Sequence, residues 1–318
     1  MSWKSWNRIT SLAVLCAAMM CARHASAASI AWVSFHGDAA VPTTNAANAG
    51  FTEAPDKAYT DLLQSAGHTV TRFTTADNFN TAQLLGFNLV ILGRGVNSGH
   101  YQQDPETLAW NSLPTALMDM SGYTLRANRL GYATGDTIPD TAGDIRLTAA
   151  NPAHPIFSGI VFDGSNTMVN TYAGLVSYTP MNPAAPNVPA VVPLVQRGIS
   201  VVTSPLIAGA QVLATVGTAG DPAVGGAVIA YLPLGTVMNT AGADPDDVLG
   251  GNRLVFLSGS REANGFTGDG SGMYDLTPTG AHMFLNAVTF IAGPAIPEPS
   301  SALLFALSGL ALGAFRKR

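Results

Sequence analysis

The pattern of apolar and polar positions opens with residues 29–35, SIAWVSF, a run of β-branched, aromatic and small side chains that ends at the turn-forming residues His36, Gly37 and Asp38. It predicts a first strand. Residues 55–66 carry Ala58, Leu62 and Leu63 at helical spacing and stop at Gly67. Residues 68–74 read as a second strand, 81–85 as a helical turn, and 89–92 as a third strand ending at Gly93, Arg94 and Gly95. A helix over 105–113, with Pro105 in its first turn, leads to a fourth strand over 116–120, which stops at Ser121 and Gly122. Strands alternating with short helices predict a parallel sheet with right-handed crossovers.

Beyond this point the pattern changes. Residues 145–148, 175–178, 191–195, 200–202, 211–216, 227–231 and 253–257 are short β-rich runs separated by Gly and Pro turns, which predicts added antiparallel strands in the C-terminal half. The Pro-rich stretch 180–193 reads as a loop or edge, and no internal repeat of domain-forming period is present. A last helix over 279–291, with Ala281, Phe284, Leu285, Val288 and Ile291 at core spacing, is expected to return onto the sheet. The expected class is α/β, a mostly parallel sheet flanked by helices in the flavodoxin-like manner, in one domain over residues 28–293.

The two ends read differently from this body. Residues 1–27 combine a basic start, an apolar run and the small-x-small pattern of Ala25 and Ala27, the marks of a signal peptide cut by signal peptidase. Both cysteines, Cys16 and Cys21, lie inside it, so a chain cut there has no thiol and no disulfide. At the other end Pro297, Glu298 and Pro299 precede a short apolar segment over 300–315 and the cluster Arg316, Lys317 and Arg318. That order resembles the PEP-CTERM sorting tail of Gram-negative bacteria that make extracellular polysaccharide. The resemblance implies an exosortase as partner and a transient membrane anchor through residues 300–315. It also implies an exported protein that passes the inner membrane and ends at the cell surface or in the extracellular matrix.

Charge narrows the partners further. Only 11% of the chain is charged, and residues 28–298 hold nine cations against twenty acids, a net charge of −11. A single lysine, Lys57, is among the nine. Such a surface repels phosphate backbones, so no nucleic-acid partner is expected. No Walker sequence, Gly-x-Gly-x-x-Gly, His-Glu-x-x-His or Cys-based zinc pattern occurs, so no cofactor and no metal is expected. The acidic loops at Asp244, Asp246 and Asp247 and at Asp269 offer oxygen ligands but no EF-hand spacing.

The strand ends at His36, Arg94 and Ser121, the segment NPAHPIFSGI over 151–160, and GNRLVFLSGS over 251–260 ahead of the last helix, together resemble the trehalose-utilisation-protein-like (ThuA-like) branch of the class I glutamine-amidotransferase-like fold. The likeness spans residues 30–293. It departs where the family's chemistry sits: the turn after the fourth strand carries Ser121 in place of a cysteine, and Ser260, Arg261 and Glu262 stand where Gly-His is usual. Glutamine hydrolysis by the family's route is therefore closed. His154 reads as a structural turn residue.

In open parallel sheets ligands sit outside the carboxyl ends of the strands. That edge is expected to collect His36 and Asp38, then Arg94 and His100, then Ser121, Tyr123, Arg126 and Arg129, and finally Arg261 and Glu262. Aromatics, histidines, acids and arginines in one crevice suit a sugar or a small anion. The expected function is a non-catalytic binding or matrix protein linked to extracellular polysaccharide. The alternative is a carbohydrate-active hydrolase or isomerase working through the His36, Asp38, Arg94, His100 and Glu262 cluster. Ser121 lies in Asp-Met-Ser-Gly-Tyr, without the Gly-x-Ser-x-Gly elbow of an esterase nucleophile.

Overall fold

The computed structural model describes residues 27–102, 104–178, 195–238, 247–263 and 265–293. The signal-peptide region, the Pro-rich stretch 180–193, Asp244, Asp246 and the tail with Pro297, Glu298 and Pro299 lie outside the described residues. Among these residues the order is β1 (Ser29–Ser34), α1 (Thr44–Asn48), α2 (Lys57–Ser65), β2 (Thr69–Thr74), β3 (Leu89–Leu92), α3 (Glu106–Asn111), β4 (Leu117–Asp119), β5 (Leu147–Ala149), β6 (Val176–Tyr178), β7 (Val195–Arg197), β8 (Gln211–Val216), β9 (Ala227–Leu232), β10 (Arg253–Phe256) and α4 (Pro278–Ala292).

β1 buries Ile30, Ala31, Trp32 and Val33, and β3, β4 and β10 are buried throughout. Continuous burial marks strands covered on both faces, as parallel strands are. β2, TVTRFT, is exposed or half-buried at every position and takes an edge. The large sheet has the order β2-β1-β3-β4-β10-β9-β8-β5. The pairs β1–β2, β1–β3, β3–β4 and β4–β10 are parallel, and β10–β9, β9–β8 and β8–β5 are antiparallel. β6 and β7 form a separate antiparallel pair. The result is an α/β body over Ala28–Gly293 with a mixed sheet, and the carboxyl ends of its five parallel strands share one edge.

Two of the three helices read from the sequence are shorter than expected, α2 and α3, and the short α1 was not foreseen. The helix read over 105–113 is the six-residue α3, and residues 81–85 form a 3-10 turn, Thr81–Leu84. Frequent Pro and Gly interrupt longer helices, as Pro114 does just after α3. The run at 200–202 makes isolated bridges, Ser200 to Asp140 and Val202 to Ala227, and no strand. The run at 145–148 begins pairing as β5 only at Leu147, while Ile145 bridges to Ala173. α4 is the long exception. Thr277 caps its first turn by accepting from the Gly280 amide, and Met283, Phe284, Ala287, Val288 and Ile291 form its buried face, which packs on β3, β4 and β10.

Arg253, fully buried at the start of β10, ties the sheet to α3. Its Nη1 donates to the carbonyls of Thr115 and Asn252, and its Nη2 to those of Trp110, Asn111 and Leu113. A helix leaves its last carbonyls without intrahelical donors, and here a guanidinium supplies them. Arg253→Met is expected to cost about 3–5 kcal/mol, because several buried carbonyls lose their donor at once. Urea unfolding of the two proteins checks this, and an unchanged midpoint would refute it.

Candidate functional site

The site forms where the parallel strands end. After β1 the chain runs through Phe35, whose amide donates to the Gly95 carbonyl at 2.7 Å and so joins the first and third strand ends. β10 runs on to Gly259, held at φ +89°, where an added Cβ would lie 2.9 Å from the Cβ of Arg94. The turn after β4 passes as closely against its neighbour: a Cβ on Gly122 would lie 2.4 Å from the Ser200 carbonyl oxygen. Glycine at these two positions lets three backbone segments close around one arginine.

Between these strand ends lies a cleft of about 350 Å³ lined by Phe35, Arg94, Val96, Asn97, Ser98, Tyr123, Glu262, Gly268 and Asp269. Arg94, 4% exposed, forms its inner wall. Its Nη2 donates to Ser200 Oγ at 3.3 Å and lies 3.6 Å from Glu262 Oε2, while its buried Nε has no protein partner. Burial pulls the Arg94 guanidinium below its ordinary pKa, against the opposing pull of Glu262. Three guanidinium carbons approach the Tyr123 ring: Arg126 at 4.5 Å, Arg94 at 4.9 Å and Arg261 at 5.9 Å. Arg261 pairs with Glu262 at 3.3 Å and with Asp140 at 3.1 Å. Asp140 also holds Arg197 at 3.3 Å and accepts from Ser200 Oγ at 2.9 Å.

The sequence-selected residues divide into two groups. Arg94, Tyr123, Arg126, Arg261 and Glu262 are brought together, and Arg129 joins them through a 3.5 Å bond from its Nε to Ser98 Oγ. His36 is committed to the backbone: its Nδ1 accepts from the Thr43 amide and its Nε2 donates to the Asp269 carbonyl at 2.9 Å. Asp38 is exposed and caps its own turn by accepting from the Ala40 amide. His100 contacts Thr75, Asn97 and Asp77 and does not line the cleft. The Ser121 hydroxyl is buried without a partner. His154 accepts from the Ile156 amide as the cap of a 3-10 turn.

Sequence reasoning missed Asn97, Ser98, Asp140, Arg197 and Ser200. Asn97 and Ser98 open a 3-10 turn, Asp140 and Ser200 meet at a lone bridge and Arg197 ends the short β7, none with a motif around it, and only the scarcity of cations in the body singles out Arg197. Asp269, weighed as a calcium ligand, instead accepts from Thr43 Oγ1 and lines the cleft. Asp247 accepts from Asn111, and no group of three or more metal-binding side chains occurs among the described residues.

Beneath the loop that carries Tyr123 and Arg126 sits Asp119, at the end of β4. It accepts from the Ser121 amide at 2.9 Å and from Thr124 Oγ1 at 2.6 Å, and burial pushes its pKa up to about 7.

No family model and no curated protein matches this chain. Among solved structures it is similar to the cytoplasmic protein STM3548 from Salmonella typhimurium, with 12% identity and a TM-score of 0.43, over 83% of this chain and 98% of that one. The expectation of an exported protein that ends at the cell surface or in the matrix is corrected at this point. The neighbour is described as cytoplasmic, and the leader and tail on which the expectation stood lie outside the described residues. That location is withdrawn, and the functional reading is built on the cleft alone.

Asp119 yields a pH test. The folded protein keeps its proton to about pH 7, whereas an unfolded chain releases it near pH ~4. The folded state therefore binds more protons across that window, and the stability this confers at low pH is lost as pH rises toward 7. Asp119→Asn is expected to melt within about 2 °C of the parent at pH 5 and to gain about 3 °C or more on it at pH 8. A melting difference that does not change with pH would contradict the assignment.

Proposed function

We propose that the body formed by residues 28–293 binds carbohydrate without processing it, on a flavodoxin-like scaffold of the ThuA-like, class I amidotransferase-like kind that has no cysteine at the nucleophile turn. The parallel order β2-β1-β3-β4-β10 supports the scaffold, since it follows the doubly wound pattern whose ligands sit at the carboxyl ends of the strands. The observation that carries the functional reading is the composition of the cleft wall. An aromatic ring, Tyr123, stands beside Arg94, with Asn97, Ser98, Glu262 and Asp269 supplying donors and acceptors at short spacing. A hydroxylated ring needs that mixture of one apolar face and several polar contacts.

The groups that a hydrolase would use support binding over turnover. Both His36 ring nitrogens are engaged, and the Ser121 hydroxyl is buried with no base bonded to it. Glu262 is held between two arginines, Arg94 and Arg261.

A glycan panel read for binding, with a reducing-end assay on the same ligands, tests the proposal. Saturable binding with no product is expected, and Tyr123→Ala is expected to weaken it at least tenfold while moving the melting temperature by less than about 2 °C. Product release that disappears in Glu262→Gln would overturn it in favour of a hydrolase or isomerase.

A further inference from the structure

The body outside the two termini holds nine cations, and five of them, Arg94, Arg126, Arg129, Arg197 and Arg261, gather around this one cleft. The other four have their own work: Lys57 pairs with Asp61 and Glu53, Arg72 with Asp56, Arg253 caps α3, and Arg146 lies near Asp163. Facing the five arginines are Asp140 and Glu262 in ion pairs, Asp269 on the cleft wall, Asp136 near Arg129 and the buried Asp275 near Arg94. Five cations stand against five acids here, a locally balanced cluster within a body of net −11.

The second observation is one of hydrogen-bond capacity. Four arginine Nε atoms among the described residues are buried with no protein partner, those of Arg94, Arg126, Arg197 and, away from the cleft, Arg253. A buried, unpaired charged donor is costly, and three in one cluster point to an acceptor that arrives from outside. Arg94 is the most telling of the three, because its Nη2 is already directed to Ser200 and Glu262 while its Nε stays open on a side chain that lines the cleft.

We infer that the ligand of this cleft carries a single carboxylate, as a hexuronic acid does, and that Arg94 receives it, with Arg126 reinforcing the positive potential beside Tyr123. The inference rests on the carbohydrate reading above and names the class of sugar. A planar carboxylate matches the flat guanidinium edge. A monoanion adds one charge to this balanced cluster, whereas a phosphate monoester brings about −1.5 to −2 at neutral pH. The volume of the cleft, about 350 Å³, is at the small end of ligand pockets and suits a short saccharide.

Calorimetric titration of the body at low salt with glucuronate, glucose, glucose 6-phosphate and acetate tests this. Glucuronate is expected to bind at least tenfold more tightly than glucose or acetate, more tightly than the phosphate ester, and less tightly as salt rises. Arg94→Lys, which keeps the charge and loses the Nε–H, is expected to cost tenfold or more. The half-buried Arg126→Gln is expected to do the same, and it supplies the test should the first variant fail to fold. Glucose binding as tightly as glucuronate would overturn the inference and leave the carbohydrate reading standing. Acetate binding as tightly as glucuronate would overturn both. Tighter binding of the phosphate ester would overturn the choice of a carboxylate, and failure of all four to bind while a neutral oligosaccharide binds would overturn the inference alone.

Discussion

The burial of Arg94 is the constraint around which this end of the molecule is organised. A guanidinium this deep in protein loses most of its hydration, a cost recovered only through close acceptors and aromatic faces. Ser200, Glu262 and the Tyr123 ring supply part of that compensation, each from a different stretch of chain. Gly259 and Gly122 allow the backbone of those stretches to close in. The arginine gathers three loops, and its remaining open Nε gives the assembled site an appetite for one more acceptor.

Elsewhere buried charged groups are engaged mainly within the fold. Arg253 spends its Nη donors on five carbonyls at the end of α3 and in the chain beside it. Asp56 accepts from both Trp32 and Arg72. Arg253 Nε is also buried without a partner, so the cleft is set apart by three such Nε atoms, those of Arg94, Arg126 and Arg197, standing in one cluster. Asp119 adds a second asymmetry: a carboxyl pushed up to about 7 holds the loop that presents Tyr123 and Arg126.

Much of the fold was legible in the chain. β3 and β8 coincide with their apolar runs, and the first strand differs by one residue at its end, because unbroken apolar stretches between turn residues have few alternatives. What was not legible is adjacency. Nothing local says that β10, far along the chain, slots beside β4, or that β5 lies at the far edge beyond β8. For that reason Asp140, Arg197 and Ser200 were invisible as site residues, since β10 and the segment after it bring Arg261 to them. His36, Asp38 and His100 were over-read for the converse reason. Proximity to a strand end does not reveal whether a side chain is already bonded to its own loop, as the Thr43, Ala40 and Thr75 contacts show.

The central claim is that Arg94 holds an open hydrogen-bonding edge for an incoming acidic sugar. Nitrogen-15 NMR of the arginine Nε–H groups during titration with glucuronate tests it most directly, because each such group reports its own bond. The account predicts a protected Arg94 Nε–H resonance in the free protein that shifts on addition of glucuronate, accompanied by Arg126, while the Arg253 resonance stays in place. A titration in which glucuronate binds and the Arg94 resonance does not move would contradict it.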